Sequence, residues 1–150
     1  MIRVEVNALE QIVHLDHTLD RKCKIRLQKQ QIHDFRNQLL SEQLQVSIQQ
    51  EQLATTEHGK PYLFDFPEFY FNHSHSQKNY ALASSHTMPD IGVDIEDLDR
   101  RVKFEALAKH AFHAHELKHW NELEQDSGYW FKVWTTKEAV LKPITRRLDV

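Results

Sequence analysis

The chain has little that would cross-link, stiffen or anchor it. Cys23 is its single cysteine in 150 residues, which excludes an intrachain disulfide and a metal cluster built from cysteines, and suits a reducing cytoplasm. Only three Gly and four Pro punctuate it, so long windows run without a forced break. No window approaches the run of about 18 apolar residues that a membrane-spanning helix needs, and the start, MIRVEVNALEQ, has neither the basic beginning nor the apolar stretch of a signal peptide. An excess of charge of either sign is lacking as well. A formal net charge of −3 gives no basic field for nucleic acid and no polybasic membrane anchor, so an anionic partner must be held by a local site.

What is present suits a globular chain: 40% hydrophobic, 27% charged and 10% aromatic residues, enough to build a core, at a length that fits one domain spanning residues 1–150. Ile2, Val4 and Val6 alternate with Arg3 and Glu5, which predicts a short, half-buried edge strand. From Thr18 to Gln52 there is no Gly or Pro, and apolar residues from Leu19 through Ile48 recur at helical spacing, predicting one or two helices with a solvated Gln-, Lys- and Arg-rich face. His58-Gly59-Lys60-Pro61 breaks that pattern with a loop that carries a lysine. Residues 69–72, 80–83 and 91–95 are short and β-rich, predicting three strands of one sheet. Helical spacing returns from about Val102 to Leu123 and again from Tyr129 to Lys142, where Trp130, Val133, Trp134 and Leu141 form the expected apolar side and Pro143 limits continuation.

Two short patterns carry chemistry. In IGVDIE (91–96), Asp94 and Glu96 are two apart, so on a strand their carboxylates project from one face, while Ile91, Val93 and Ile95 take the other. In WTTKEAVLK (134–142), Glu138 and Lys142 lie one helical turn apart. Taken alone, the first is also an ordinary polar strand face and the second an ordinary surface ion pair.

Together, and in this order, the two patterns resemble the 4′-phosphopantetheinyl transferases. GKP (59–61) and FNHSHS (71–76), both upstream of IGVDIE, resemble the larger, pseudo-symmetric surfactin-type members. The resemblance implies an α+β fold, an antiparallel sheet packed by helices. It implies transfer of the 4′-phosphopantetheine arm of coenzyme A to a serine of an acyl or peptidyl carrier protein. Mg2+ is the implied metal, with Asp94, Glu96 and Glu138 as ligands, a donor set suited to a hard cation. Glu138 would also serve as base for the serine, directly or through a water. Lys142 would neutralise a pyrophosphate oxygen, Lys60 and His75 would hold the 3′-phosphate of coenzyme A with help from Ser74, and Arg36 would be a further nucleotide contact.

His115-Glu116-Leu117-Lys118-His119 matches H-E-x-x-H, the helical zinc pattern with a glutamate base. A chain with 11 His makes that match cheap, and the surrounding FHAHELKHWNEL resembles the helix between the two motifs of the transferases. That family continues for tens of residues past its K-E-x-x-x-K helix. PITRRLDV (143–150) is expected to supply at most one short strand, which predicts a truncated second half, and the alternative function is a noncatalytic remnant that binds coenzyme A or a carrier protein weakly.

Overall fold

A computed structural model describes residues 1–142 of the chain. Its longest element, α1 (Arg21–Leu44), fills most of the window without Gly or Pro. Asp20 starts it, accepting the Cys23 amide through its carboxylate at 2.8 Å. Gln45 ends it in the left-handed conformation at φ 54°, and Ser41 then captures the returning chain by accepting the Ile48 amide at 2.9 Å.

α1 lies on a three-stranded antiparallel sheet, β1 (Ile2–Ala8), β4 (Tyr70–His75) and β5 (Asn79–Ser85), in the order β1-β5-β4. A hairpin, β2 (Leu53–Thr55) and β3 (Pro61–Leu63), forms a second small sheet whose turn holds Gly59 at φ +80°. β5 is central and buried on both faces, which is why it reads as a run of small and apolar residues rather than an alternation. Phe71, Tyr80 and Leu82 point from the sheet to Ile32, Leu39 and Leu40 of α1, and the Phe35 ring meets Tyr80 edge-on. On the other face Asn72, Ser74, Ala81 and Ala83 are buried.

A second core belongs to three later helices, α2 (Phe104–Ala111), α3 (Ala114–Glu122) and α4 (Ser127–Leu141). Trp130 is its centre, stacked on Trp134 at 5.1 Å, meeting Phe104 edge-on and donating its indole N–H to the Phe104 carbonyl at 3.0 Å. Phe131 is buried beside it, whereas Leu141, expected on the apolar side, is exposed. The predicted helix 102–123 is two helices. At the break, Glu116 accepts the His113 amide at 2.7 Å in a capping box, which begins α3 without help from Gly or Pro.

The α+β architecture with antiparallel sheets is as expected, and β1 is an edge. Two further expectations need correction. Residues 91–95 lie beside β4 but join no ladder among the described residues; a side-chain hydrogen bond, Ser74 to Asp94, ties them to that strand. And Ile2, Val4 and Val6 of β1 face outward instead of being half-buried, since α1 covers the sheet on the side of Arg3 and Glu5. The expectation for 143–150 lies outside the described residues. Among the described residues no helix is long and apolar enough to cross a membrane.

Candidate active site

The two motifs meet where the end of α4 reaches the irregular segment after β5. Lys142 Nζ donates to Asp94 Oδ1 at 2.8 Å and to the Val93 carbonyl at 2.9 Å, across 48 positions of sequence. Ser74, on the β4 face turned away from α1, donates to the same Asp94 oxygen at 3.2 Å. Only 18% of the Lys142 side chain and 9% of the Asp94 side chain are exposed, so this is a shielded pair and not a surface contact. Asp94 Oδ2 is buried and has no hydrogen-bond partner among the described residues. A buried carboxylate oxygen left in that state is unfavourable unless something else neutralises it.

A second anchor lies three residues on. Asp97 accepts from Ser76 Oγ at 2.6 Å and from Asn79 Nδ2 at 3.1 Å, pinning the motif segment to the β4–β5 turn. Burial alone would raise the Asp97 carboxyl, but hydrogen bonds from Ser76, Asn79 and the turn amides of Lys78 and Gln77 outweigh it and hold the group below its ordinary range. Asp97 was not singled out in the sequence. Its signal was the acidic residue directly following IGVDIE.

The other expected residues divide. Lys60, on the β2–β3 turn, donates to the Pro89 carbonyl just ahead of the motif segment, and partial burial lowers its pKa against the opposing pull of Asp90. Glu138 is half-buried on α4, one turn before Lys142. Glu96 is engaged by Arg100 at 2.6 Å, and among the described residues no three His, Cys, Asp or Glu side chains are gathered as a metal site. Asp94 and Glu96 therefore answer to different cations here. His75 is exposed and, by the β4 alternation, points to the sheet face opposite Ser74. Arg36 is not at the site. It is buried in α1, where its guanidinium donates to Asn37 Oδ1 at 3.1 Å and Gln50 Oε1 at 3.0 Å, and desolvation lowers its pKa. The H-E-x-x-H pattern is likewise committed to structure: Glu116 caps α3 and pairs with Lys137 of α4 at 2.9 Å, and His119 meets Glu122 and the Tyr129 ring.

α4 thus delivers a lysine to an acidic segment beside an antiparallel sheet, a partly shielded cation–carboxylate pair that joins the two motifs. The family model of the 4′-phosphopantetheinyl transferase superfamily matches residues 90–149, which include both motifs. The 4′-phosphopantetheinyl transferase HetI of Nostoc is 43% identical over 89 residues, 56% of this chain and 37% of HetI. The 4′-phosphopantetheinyl transferase Sfp of Bacillus subtilis is 29% identical over 106 residues, 69% of this chain and 46% of Sfp. A Synechocystis relative is 35% identical over 108 residues, 69% of this chain and 44% of that protein. The chain belongs to the 4′-phosphopantetheinyl transferase superfamily. It spans less than half the length of each of these relatives.

Proposed function

We propose that the chain, as a single domain over residues 1–150 of the larger surfactin-type branch, transfers the 4′-phosphopantetheine arm of coenzyme A to a serine of an acyl or peptidyl carrier protein in the cytoplasm. The observation that supports this most is the Lys142–Asp94 pair with its Ser74 donor, because it joins the two motifs in one shielded place and leaves Asp94 Oδ2 without a partner among the described residues. That orphaned oxygen fits one ligand of a hard divalent cation, and carboxylates are the donors such a cation prefers. Asp94, Glu96 and Glu138 are the proposed ligands of Mg2+, with Glu96 exchanging its Arg100 contact for the metal. Bound there, Mg2+ would neutralise charge on the pyrophosphate as its P–O bond breaks.

The chain's own groups supply the rest. Lys142 is held where its ammonium lies against both the Asp94 carboxylate and a backbone carbonyl, so it can swing to a pyrophosphate oxygen while remaining in the site. Glu138 takes the proton of the serine hydroxyl as its oxygen bonds the phosphorus that carries the pantetheine arm, and 3′,5′-ADP leaves with the broken P–O bond. Lys60 is the proposed holder of the 3′-phosphate, and burial makes its ammonium a less hydrated partner for it; His75, expected beside it, points to the sheet face opposite Ser74, and Ser74 is engaged with Asp94, so the three do not converge on one phosphate here. Positioning then contributes most of the remaining acceleration.

Incubation with an apo carrier protein, coenzyme A and Mg2+ should add the mass of one phosphopantetheine to the carrier, and Glu138→Gln should abolish the addition while the circular dichroism spectrum stays unchanged. No mass shift across several carriers with folded protein refutes the transfer. The engagement of Glu96 by Arg100, with no assembled carboxylate triad among the described residues, favours a second reading: a noncatalytic remnant that binds coenzyme A or a carrier weakly. Calorimetry showing coenzyme A binding without transfer would select it.

A further inference from the structure

The outward stripe of β1 is apolar, and its flanking charges are arranged so that the strand complements itself. Ile2, Val4 and Val6 are 48%, 57% and 59% exposed on the sheet face away from α1, and β1 has no strand on its outer side among the described residues. The Leu9 amide donates to the Lys78 carbonyl at 2.8 Å directly opposite it, so in the alternation of an antiparallel ladder Glu5 and Arg3 are the residues bonded to β5. The N–H and C=O groups of Ile2, Val4 and Val6 then point outward, the arrangement of an open edge.

Such an edge can accept a second antiparallel strand with Ile2, Val4 and Val6 as its bonded positions. If that strand is another β1, charge selects one register. Setting Val4 opposite Val4 of the copy places Arg3 opposite Glu5 at both ends and Ile2 opposite Val6. A shift of one pleat in either direction sets Arg3 against Arg3 or Glu5 against Glu5. Like charges directly opposite destabilise a pair and opposite charges support it. The selected register also puts Arg3 and Glu5 at the non-bonded positions, where facing side chains come closest. The intrachain Arg3–Glu5 contact at 2.5 Å already holds both groups on that side of the strand.

We propose that β1 is a self-docking edge: two copies of the chain pair antiparallel through residues 2–6 about a twofold axis at Val4, joining two three-stranded sheets into one of six strands. About six backbone hydrogen bonds and an apolar Ile2–Val4–Val6 ridge on one face make the contact. Its area is small, so the dimer is weak and concentration-dependent.

Analytical ultracentrifugation of the full chain, from micromolar to about 0.3 mM, reads the dimer directly. Arg3→Glu and Glu5→Arg should each raise the dissociation constant at least about tenfold. Mixed one to one, these two variants should form a heterodimer within about threefold of the wild-type constant, because the carboxylate introduced at position 3 of one chain then faces the guanidinium introduced at position 5 of the other. Both variants break the intrachain pair, so recovery on mixing cannot come from it. Val4→Pro should give a monomer with an unchanged thermal melt, since the amide it removes is not bonded to β5. A wild-type chain monomeric throughout the range overturns the proposal, as does a mixture no tighter than its two components, or a Val4→Pro variant that is folded and dimerises like wild type.

Discussion

Replacing Lys142 by Met keeps the length of the side chain and removes the ammonium, which isolates what the site's central pair does for the fold. At 2.8 Å the pair's direct attraction is about 6 kcal/mol at an effective dielectric near 20, and desolvation of the two groups offsets more than half of it. Lys142→Met also leaves Asp94 with both oxygens poorly satisfied, Ser74 at 3.2 Å being the remaining donor to Oδ1. Removing one partner of a buried pair costs about 3–5 kcal/mol, and the 18% exposure of Lys142 lowers this to about 2–3 kcal/mol. For a chain of 150 residues that corresponds to a melting point about 5–10 °C lower. The assay is urea unfolding followed by tryptophan fluorescence, on wild type, Lys142→Met, Asp94→Asn and the double variant. The cycle should return a coupling energy of about 1.5–2.5 kcal/mol, because each single variant strands a charge that the double variant does not. Strict additivity, or a single variant within about 0.5 kcal/mol of wild type, would show that the two motifs do not meet as described.

Burial, then the charges of Arg36, His33, His75 and Lys142, push the His73 pKa down to about 3, so the fold binds it neutral. Since the unfolded chain takes up that proton near pH 6.5, stability is fully present above that pH and falls as pH drops toward 3, by about 2 kcal/mol between pH 6.5 and 5. His73→Gln should flatten that part of the stability profile by about one proton, and an unchanged slope in acid titrations would contradict the burial. Asp97→Ala should lower the unfolding free energy by about 2–3 kcal/mol through its two side-chain donors, with the urea midpoint as the measure. Glu116→Ala should cost about 1 kcal/mol by uncapping α3, and zinc titration of the wild type should show no stoichiometric site. A one-to-one zinc complex lost in His115→Ala would reverse the structural assignment of that motif.

Local patterns identified the elements that depend on local physics. α1 was legible because no Gly or Pro interrupts it and its apolar residues keep helical spacing, although its buried face also takes in Arg36 and Asn37, which periodicity of apolar residues does not show. The break between α2 and α3 was written as a capping box at His113 and Glu116, a signal overlooked because helix ends are usually sought at Gly and Pro. IGVDIE alternates as a strand would, yet a strand is defined by a partner, and the partner is a tertiary matter. The same distinction governs the site. Motif order carried the family and singled out both Asp94 and Lys142, but the Ser74 and Asp97 contacts, the diversion of Glu96 to Arg100 and the removal of Arg36 into the core depend on how distant segments pack.

The sheet-and-α1 core and the three-helix core share no buried residue, and polar contacts tie the helical side, the motif segment and the sheet side together: Lys142 with Asp94, Ser74 with Asp94, Ser76 and Asn79 with Asp97, and Lys60 with Pro89. Each core has its own apolar contacts, and opening the seam between them breaks a cluster of charged hydrogen bonds. Such a seam is sensitive to salt and to occupancy in a way neither core is. A phosphate or metal gripping Asp94 and Lys142 together acts as a clasp, and hydrogen exchange at α4 and at 91–97 should slow in step when it closes, while α1 keeps its own pace.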